Sequence, residues 1–392
     1  MNNSLKKIIK RELKRIAERK TLYLLSIFIP AFMFSLYAVI YQNELVTELP
    51  VAIYDEDNSQ LTQKIIEMIE ASPSMRIVKY ENSINEIKED FFTGKIQGAF
   101  YFPYHLEKDV KKGKSGTVVV YKNTSNLISG NLILKDGSTI IKTVSAGILL
   151  KKIQSKGNTY EKSLNIITPI RIETNTLFNP NFSYKTYLVP GLIGFTFQLI
   201  IMIVSVLIFS SEFSHNTFHE LLELSNNKIS LIILGKFIPH FFIHFSNALL
   251  IIGIIFPLFK INISGSIINL IFLLAVFVFS SLTISFAVSS FVHDQQFATE
   301  IIVFYNTPAF IFSGFTYPLW AMPFIHSFIA QVMPFTHFLN GFLKIAMMNA
   351  QIISIKNEIL ILNLFALIGL LTTYLSLKFS LRKHQNKYQS IK

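Results

Sequence analysis

Cysteine is absent from this sequence and charge is scarce. None of the 392 residues is Cys, which excludes disulfides, thiolate zinc sites and cysteine nucleophiles. Charged residues make up 15% of the chain, whereas soluble domains contain about 25%. Hydrophobic residues reach 51%, Phe alone occurs 37 times, and the mean hydropathy is +0.44. This composition is typical of an integral membrane protein that carries one soluble insert.

Acidic residues are outnumbered by basic ones, which gives a net charge of +12. A strongly basic chain often binds nucleic acid. Here, however, Lys and Arg cluster at the two termini beside apolar segments, so membrane topology explains them better. We therefore expect no nucleic-acid partner.

Six apolar segments are candidate membrane spans. The first, residues 21–41, is long enough because about 20 residues at 1.5 Å each cross a hydrocarbon core of roughly 30 Å. A cleaved signal peptide is the alternative, but the run is long for one and no small-residue cleavage pattern follows it. The other five lie within residues 187–380, near 187–210, 231–256, 267–291, 297–312 and 359–379.

Residues 42–186 have the composition of an ordinary soluble protein. The predicted strands are LPVAIYDED, RIVKY, QGAFYFP and GTVVVYKN. The predicted helices are NSQLTQKIIEMIEA, SINEIKEDFFTGK and residues 125–152. This alternation indicates a small α/β domain, for which roughly 140 residues are enough.

Residues 313–342 are apolar but are interrupted by Pro318, Pro323 and Pro334. Proline removes a backbone donor and breaks a helix. We therefore interpret this segment as short re-entrant or interfacial helices rather than as a span.

Charge at the two ends predicts the orientation. Residues 1–20 contain eight Lys or Arg against two Glu, and the tail, residues 381–392, is also basic. Basic residues are enriched on cytoplasmic flanks, so both termini are expected inside, which requires an even number of spans. The predicted fold is a membrane α-helical protein with six transmembrane helices, re-entrant helices after the fifth, and an inserted extracytoplasmic α/β domain. Residues 211–230 and the turn at 293–296 are then cytoplasmic.

Residues 1–20 also carry apolar residues at helical spacing with basic residues between them. This pattern predicts an amphipathic helix at the membrane interface, attracted to anionic lipid and leading into the first span.

The sequence has no complete phosphate-binding loop. Gly113-Lys114-Ser115 resembles the end of one, but the Gly required five residues earlier is Lys108. Gly235-Lys236 fails the same test, because Ser230 occupies that position. We interpret the first of these as a solvated turn between a helix and a strand. No enzyme activity and no bound cofactor are expected in this chain, and the lack of Gly-x-Ser-x-Gly and HExxH patterns argues against an intramembrane hydrolase.

Two histidine pairs have the spacing of neighbours on one helix face: His215 with His219, and His240 with His244. Such pairs can bind metal, but neither has the HExxH order, so we interpret them as polar faces and predict no metal site. Ionisable residues inside a membrane suggest function by default. The candidates of that kind are His240, His244, Glu300 and His337.

The charged segment between the second and third spans predicts a short amphipathic helix. Its apolar side carries Phe218, Leu221 and Leu222, and its other side carries His219, Glu220 and Glu223. Such a helix lies on the membrane or docks in a partner's groove. An anionic face is disfavoured beside the negative inner leaflet, which favours a protein partner.

Taken together, these segments resemble a permease subunit of the type-2 ABC exporter family, in the subgroup with a large extracytoplasmic domain between the first and second spans. SEFSHNTFHELLELSNNKISLIILGK, residues 211–236, is similar to the family pattern Glu-Arg-Glu-x-Gly-Thr-x-x-x-Leu that ends in Gly-Lys. It departs from that pattern at Ser214, Asn216 and Ser225-Asn226. Three further stretches are similar to parts of the family. Residues 51–59 resemble the start of the outer domain, residues 179–194 resemble the entry into the second span, and residues 294–342 resemble the fifth span and the re-entrant helices after it.

The resemblance implies two paired permease chains, as a homodimer or a heterodimer, above two cytoplasmic ABC ATPase subunits that bind ATP and Mg. Residues 211–230 would contain the coupling helix, seated in an ATPase groove, with residues 1–20 as the connecting helix beside it. ATPase closure would shift these helices and open a path at the dimer interface, with residues 313–342 forming the outer gate. The residues expected to couple to the ATPase are Glu212, Thr217, Phe218, His219, Glu220, Leu221 and Leu222. Those expected at the outer gate are Phe315, Pro318, Pro323, Pro334 and His337.

The leading interpretation is thus an exporter permease in the bacterial cytoplasmic membrane, with a hydrophobic, drug-like or lipid-like substrate. Membrane lipid and a periplasmic adaptor are further expected partners. The alternative is a membrane-anchored sensor or scaffold whose outer domain binds a ligand or a protein. That alternative leaves residues 313–342 without a role.

Overall fold

The computed structural model describes residues 3–42, 46–169, 175, 177–179 and 183–389. The chain forms two compact units: a helical unit of Met1–Glu44 with Thr176–Lys392, and a sheet unit of Leu45–Asn175. The predicted inserted domain, residues 42–186, and the predicted tail, residues 381–392, each include residues that lie outside the described ranges.

Two helices begin the helical unit. Helix α1 covers Asn3–Glu18 and helix α2 covers Lys20–Ile40, and Arg19 between them has an extended backbone. A π-helical turn at Leu24–Phe28 interrupts α2, and such turns are often found at functional sites.

The apolar stripe of α1 is buried against the chain itself. Ile8 is fully buried and Ile16 is 4% exposed. An ideal Cβ on Gly235 would lie 2.5 Å from Cγ2 of Ile8, so the two helices approach closely there. The predicted amphipathic helix is therefore present, and the side that carries Ile8 and Ile16 packs on the chain itself. Its attraction to anionic lipid stays a prediction.

The sheet unit contains four strands in the order β2-β1-β3-β4. The strands are β1 (Leu49–Asp55), β2 (Met75–Tyr80), β3 (Gly98–Phe102) and β4 (Val119–Lys122). Strands β2, β1 and β3 are parallel, and β4 is antiparallel to β3. The helices are α3 (Gln60–Glu70), α4 (Ile84–Phe92), α5 (Leu106–Lys111), α6 (Leu127–Gln154) and α7 (Tyr160–Ile167).

Parallel strands must be covered on both faces, and the burial of β1 shows this. Val51 and Ile53 belong to the larger core with Phe100, whereas Ala52 belongs to a second core on the other face. Gly113 follows α5 with a φ of +81°, a conformation that favours glycine. Its segment is thus a turn between a helix and a strand, as expected.

The rest of the helical unit is built from eight helices among the described residues. They are α8 (Tyr184–Ser214), α9 (Phe218–Leu224), α10 (Ile229–Leu258), α11 (Ile267–Phe291), α12 (Gln295–Phe312), α13 (Phe324–Gln331), α14 (Pro334–Ala346) and α15 (Lys356–Gln389). A second π-helical turn lies in α10 at Ile251–Ile255.

Within the described ranges, five helical segments are long and apolar enough to cross a membrane: Lys20–Ile40, Lys185–Ser214, Ile229–Leu258, Ile267–Phe291 and Ile352–Lys383. The predicted span at residues 297–312 falls in α12, which has 18 residues and is not among the five. The chain is thus a multi-pass, mostly helical membrane protein.

Small side chains allow the apolar helices to approach one another. An ideal Cβ on Gly369 of α15 would lie 2.6 Å from the backbone of Thr283 in α11. Helix α11 buries a further set of small polar residues, Ser280, Ser281, Ser285, Ser289 and Ser290.

Proline determines where the helices of residues 313–342 begin. Pro318 precedes a 3₁₀ turn at Leu319–Ala321, Pro323 precedes α13, and Pro334 is the first residue of α14. Proline is tolerated at these positions because the first helical N–H groups have no intrahelical partner. The segment consists of short helices, as its three prolines predicted.

Candidate functional site

The predicted coupling segment, residues 211–230, contains three pieces. Helix α8 extends to Ser214, α9 covers Phe218–Leu224, and α10 begins at Ile229. Asn216 has a φ of +53° in the first turn, so it adopts the left-handed conformation that the family's glycine would supply. Glu212 therefore belongs to α8 and not to the short helix, and it is fully buried.

The two sides of α9 have different surroundings. Leu221 is fully buried, and Phe218 and Leu222 are 8% and 3% exposed within the helical unit's core. His219 and Glu220 are exposed. The apolar side packs on the chain's own helices. The polar side is the one that a partner can contact.

Lys236 of α10 lies at the centre of a set of charged residues from four helices. Its Nζ is 2.7 Å from Oε2 of Glu12 and 2.8 Å from Oε1 of Glu212, and it also donates to the carbonyl of Ile208 at 3.4 Å. The side chains of Lys236 and Glu212 are fully buried, and that of Glu12 is 1% exposed. We call this set the charge network; its members are Arg11, Glu12, Arg15, Glu212, Glu220, Lys236 and His240.

Two arginines of α1 complete the coordination of Glu212. Arg11 donates Nη1 to Oε1 at 2.8 Å and Nη2 to Oε2 at 3.1 Å, the bidentate geometry that arginine favours with carboxylates. Arg15 and Thr217 also donate to Glu212. Arg11 Nη2 is in addition 3.0 Å from Oε2 of Glu220, so α1 is bound to α9 directly.

Of the two buried carboxylates, Glu12 has fewer close partners than Glu212. Lys236 contacts one of its oxygens, and His240 Nε2 is 3.0 Å from the other. Burial alone would raise the pKa of Glu12, but the charge of Lys236 and the hydrogen bond with His240 hold the pKa far below its usual range. With His240 neutral, three carboxylates face three cations in the network, so its formal charge sums to zero.

The histidine pairs lie in different surroundings from those expected. His240 and His244 are fully buried in α10 and form no exposed polar face. His244 has no hydrogen-bond partner for either ring nitrogen within the described part of the chain. Just after α8, His215 Nδ1 is 2.8 Å from the carbonyl of Ser211. No group of three or more potential metal ligands occurs among the described residues.

Phe213 and Ser214 of α8 contact the turn between α11 and α12. The Phe213 ring stacks on His293, with centroids 3.9 Å apart, and contacts Phe218 at 4.7 Å. Ser214 donates to the carbonyl of His293 at 2.6 Å. The arrangement therefore connects α1, α8, α9 and α10 with the turn between α11 and α12.

The predicted gate residues do not form one cluster. Phe315 is buried against the start of α8: its ring stacks on Tyr187 at 5.1 Å, its carbonyl accepts from that hydroxyl at 2.7 Å, and its ring fills the space beside Gly191. The three prolines begin short helices, and His337 Nε2 is 2.9 Å from the carbonyl of Gln331. Phe315 is packed against the aromatic rings of Tyr187 and Phe310.

Sequence reasoning missed Arg11, Glu12, Arg15 and Lys236 as members of one site. A signal was present: Glu12 falls between Ile8 and Ile16 at four-residue spacing, so it lies on the buried stripe of α1. An acidic residue on an apolar stripe indicates a buried partner, because unpaired charges are not stable there.

The chain is similar to known proteins over most of its length. The family described as ABC-2 family transporter protein matches residues 20–375. A relative named "Probable multidrug ABC transporter permease YbhR", from Escherichia coli (strain K12), is 23% identical over 355 residues, which are 90% of this chain and 92% of the relative. Another, "Probable multidrug ABC transporter permease YbhS" from the same organism, is 20% identical over 340 residues, 84% of this chain and 85% of the relative.

The family match covers most of the chain, from the start of α2 into α15, and the relatives are aligned over nearly their whole length. ABC permeases work with ATPase subunits and a second permease chain. The chain therefore belongs to the ABC-2 family of transporter proteins, as a permease subunit of an ABC exporter.

Proposed function

We propose that α9 and α1 receive the movement of the cytoplasmic ATPase subunits and that the charge network carries it into the membrane helices. ATP and Mg are bound by the ATPase partner in this proposal, and the permease is not itself an enzyme. The observation that carries the proposal is the burial of Lys236 between Glu12 and Glu212, which joins α1, α8 and α10.

The energetics of the network favour movement as one body. Taking one partner away from a buried ion pair costs about 3–5 kcal/mol, because the other charge is left unpaired in a low-dielectric interior. An exposed pair costs only about 1 kcal/mol or less to separate. A push on α9 or α1 is therefore passed to α8 and α10 before the network opens. This is rigid-body switching with energy supplied at a distance.

The polar side of α9 is the proposed ATPase contact. His219, Glu220 and Glu223 are exposed on it, while Phe218, Leu221 and Leu222 hold the helix on the permease. Glu212 and Thr217 act from inside, as residues that fix α9 to α8.

The proposed topology has six spans, with both termini in the cytoplasm. Helix α12 is the fifth span: 18 residues at 1.5 Å each cover about 27 Å, close to a hydrocarbon core. The sheet unit is then extracytoplasmic, in the bacterial cytoplasmic membrane, where an adaptor protein has access to it. The short helices of residues 313–342 form the outer gate, with Phe315, Pro318, Pro323, Pro334 and His337 in it.

The proposed cargo is hydrophobic, drug-like or lipid-like, and it leaves along an interface with a second permease chain, identical or related. The relatives' names include the word multidrug, and the described helices expose many apolar side chains. Membrane lipid contacts the same surfaces.

The test separates ATPase binding from energy transfer. In complexes purified through a tag on the permease, Glu223→Lys should lower the amount of ATPase retained, because this side chain is exposed and makes no ion pair among the described residues. Glu220→Gln should retain the ATPase but lower ATP-dependent transport in proteoliposomes, because it removes the pair with Arg11.

Glu67→Lys is the matched control, since Glu67 is exposed in the sheet unit. If both α9 variants bind ATPase and transport as well as this control, α9 is not the coupling helix. Leu221 is unsuitable for the test, because a polar substitution at a fully buried position would measure folding instead.

A further inference from the structure

A groove of approximately 1160 Å³ lies between α2 and α12 in the helical unit. One end is polar, with Arg19 before α2 and Gln296 in the first turn of α12. The other end is apolar, with Pro308 and Ile311 among its lining residues. A site with one polar end and one apolar end fits an amphiphilic molecule better than a fully polar one.

Glu300 is the carboxylate of this groove. It lies five residues into α12 and is exposed, and its Oε1 accepts a hydrogen bond from Gln296 Nε2 at 3.0 Å. No Lys, Arg or His nitrogen of the described residues lies within ion-pair distance of it, Arg19 included. The charge therefore has one neutral donor and no cation, unlike the carboxylates of the charge network.

The apolar wall continues from Glu300 along one side of α12. Phe304 follows at i+4 and is 83% exposed, and Ile311 follows one heptad later and is 56% exposed. Residues at this spacing lie one above another on a helix. An aromatic face one turn from a carboxylate adds a second attraction for a positive group, through the cation–π interaction.

We propose that this groove binds amphiphilic organic cations as export cargo, with Glu300 as the counter-ion. A quaternary ammonium, phosphonium or protonated amine would lie between Glu300 and Phe304, and its apolar portion would extend toward Ile311. The proposal rests on the export function proposed above and names the class of substrate for it. Arg19 lies at the polar end, so an anionic head would bind there and not at Glu300.

The test measures binding without transport. Radiolabelled tetraphenylphosphonium is equilibrated with the purified full-length chain in lipid nanodiscs, and binding to empty nanodiscs is subtracted. Glu300→Gln should weaken binding about tenfold, since the neutral amide keeps the shape and loses the charge. Phe304→Leu should weaken it by a smaller factor. Glu67→Gln, at an exposed carboxylate of the sheet unit outside the groove, should leave binding unchanged.

Competition identifies the charge that is recognised. An alkyl trimethylammonium should displace the probe, whereas an alkyl sulfate and an uncharged alkyl glycoside of equal chain length should not. Arg19→Gln should leave binding unchanged or improve it. Equal binding by the wild type and Glu300→Gln would overturn the proposal. So would competition by the sulfate, or a loss in Arg19→Gln as large as that in Glu300→Gln, which would indicate a ligand with both charges.

This result is independent of energy coupling. If binding depends on Glu300 but the α9 variants show no defect in ATPase retention or transport, the coupling proposal fails and the groove stands. If the α9 variants behave as expected and Glu300→Gln does not change binding of the probe, the chain remains an exporter and its cargo is recognised elsewhere.

Discussion

Replacement of Lys236 with Met is the sharpest test of the charge network. The side chain is fully buried, and its Nζ lies 2.7 and 2.8 Å from two buried carboxylates. Methionine has a similar length and no charge, so the change removes the cation with little change in volume. The two carboxylates are affected unequally. Glu212 keeps Arg11 and Arg15, whereas Glu12 keeps His240 at 3.0 Å and only a long contact with Arg15, at 3.9 Å.

The expected loss follows from that inequality. Breaking a buried ion pair by removing one partner costs about 3–5 kcal/mol, mostly because a charge is left buried and unpaired. Glu12 is the stranded charge, so adding Glu12→Gln to Lys236→Met should recover about 1–3 kcal/mol of the free energy of unfolding. Lys14→Met is the control on α1: its pair with Glu18 is 3.5 Å long and both side chains are exposed, so its cost should be below about 1 kcal/mol.

Unfolding by SDS in mixed micelles, followed by circular dichroism, measures these free energies. The double-mutant cycle then isolates the coupling between Glu12 and Lys236. The reasoning is refuted if Lys236→Met is no less stable than Lys14→Met, or if the double variant is less stable than Lys236→Met alone. Either result would mean that the network is hydrated and its charges are screened.

Two more predictions concern the docking of α1. Gly235→Ala places a Cβ 2.5 Å from the branched side chain of Ile8, so it should destabilise the docking of α1 by about 1–3 kcal/mol. Trypsin should then cleave residues 3–18 faster. Gly253→Ala is the control in the same span, because its Cβ meets nothing within 4 Å, and its cleavage rate should equal that of the wild type. The folded pKa of Glu12 lies below its ordinary value of 4.5, so its contribution to stability should be constant from pH 7 to pH 5 and should fall as the pH drops below 4.5. Unfolding midpoints measured across this range should decline less below pH 4.5 in Glu12→Gln than in the wild type, and parallel curves would contradict the assignment.

Local patterns predicted much of the fold. Strand β1 alternates between two apolar cores and is followed by a capping box, in which Ser59 and Thr62 exchange hydrogen bonds at 3.2 and 3.0 Å before α3. Both features are readable from the sequence. Helix α7 was missed because it is short and polar, and its stability depends on tertiary contacts. A helix before Gly113 was expected, but the bounds of α5 were not predicted.

The site was harder to predict because its contacts are distant in sequence. Glu12 and Lys236 are 224 positions apart, and no local periodicity joins them. The two sides of α9 were identified correctly as apolar and polar. Which side faces the chain's own core depends on how α8 and α10 pack, and a pattern of seven residues contains no information about that packing.

The two proposed sites share one helix. Glu212 holds the C-terminal end of α8 in the charge network, and nearer the start of α8 Gln198 donates to Asn306 of α12 at 2.7 Å within the buried interior. Asn306 also donates to the carbonyl of Ile302 and to the sulfur of Met202 in α8. Hydrogen bonds between apolar helices hold them in register, because no water competes for the donors. A displacement of α8 by the network therefore moves α12, and with it the side of the groove that carries Glu300. This path requires α8 and α12 to move together.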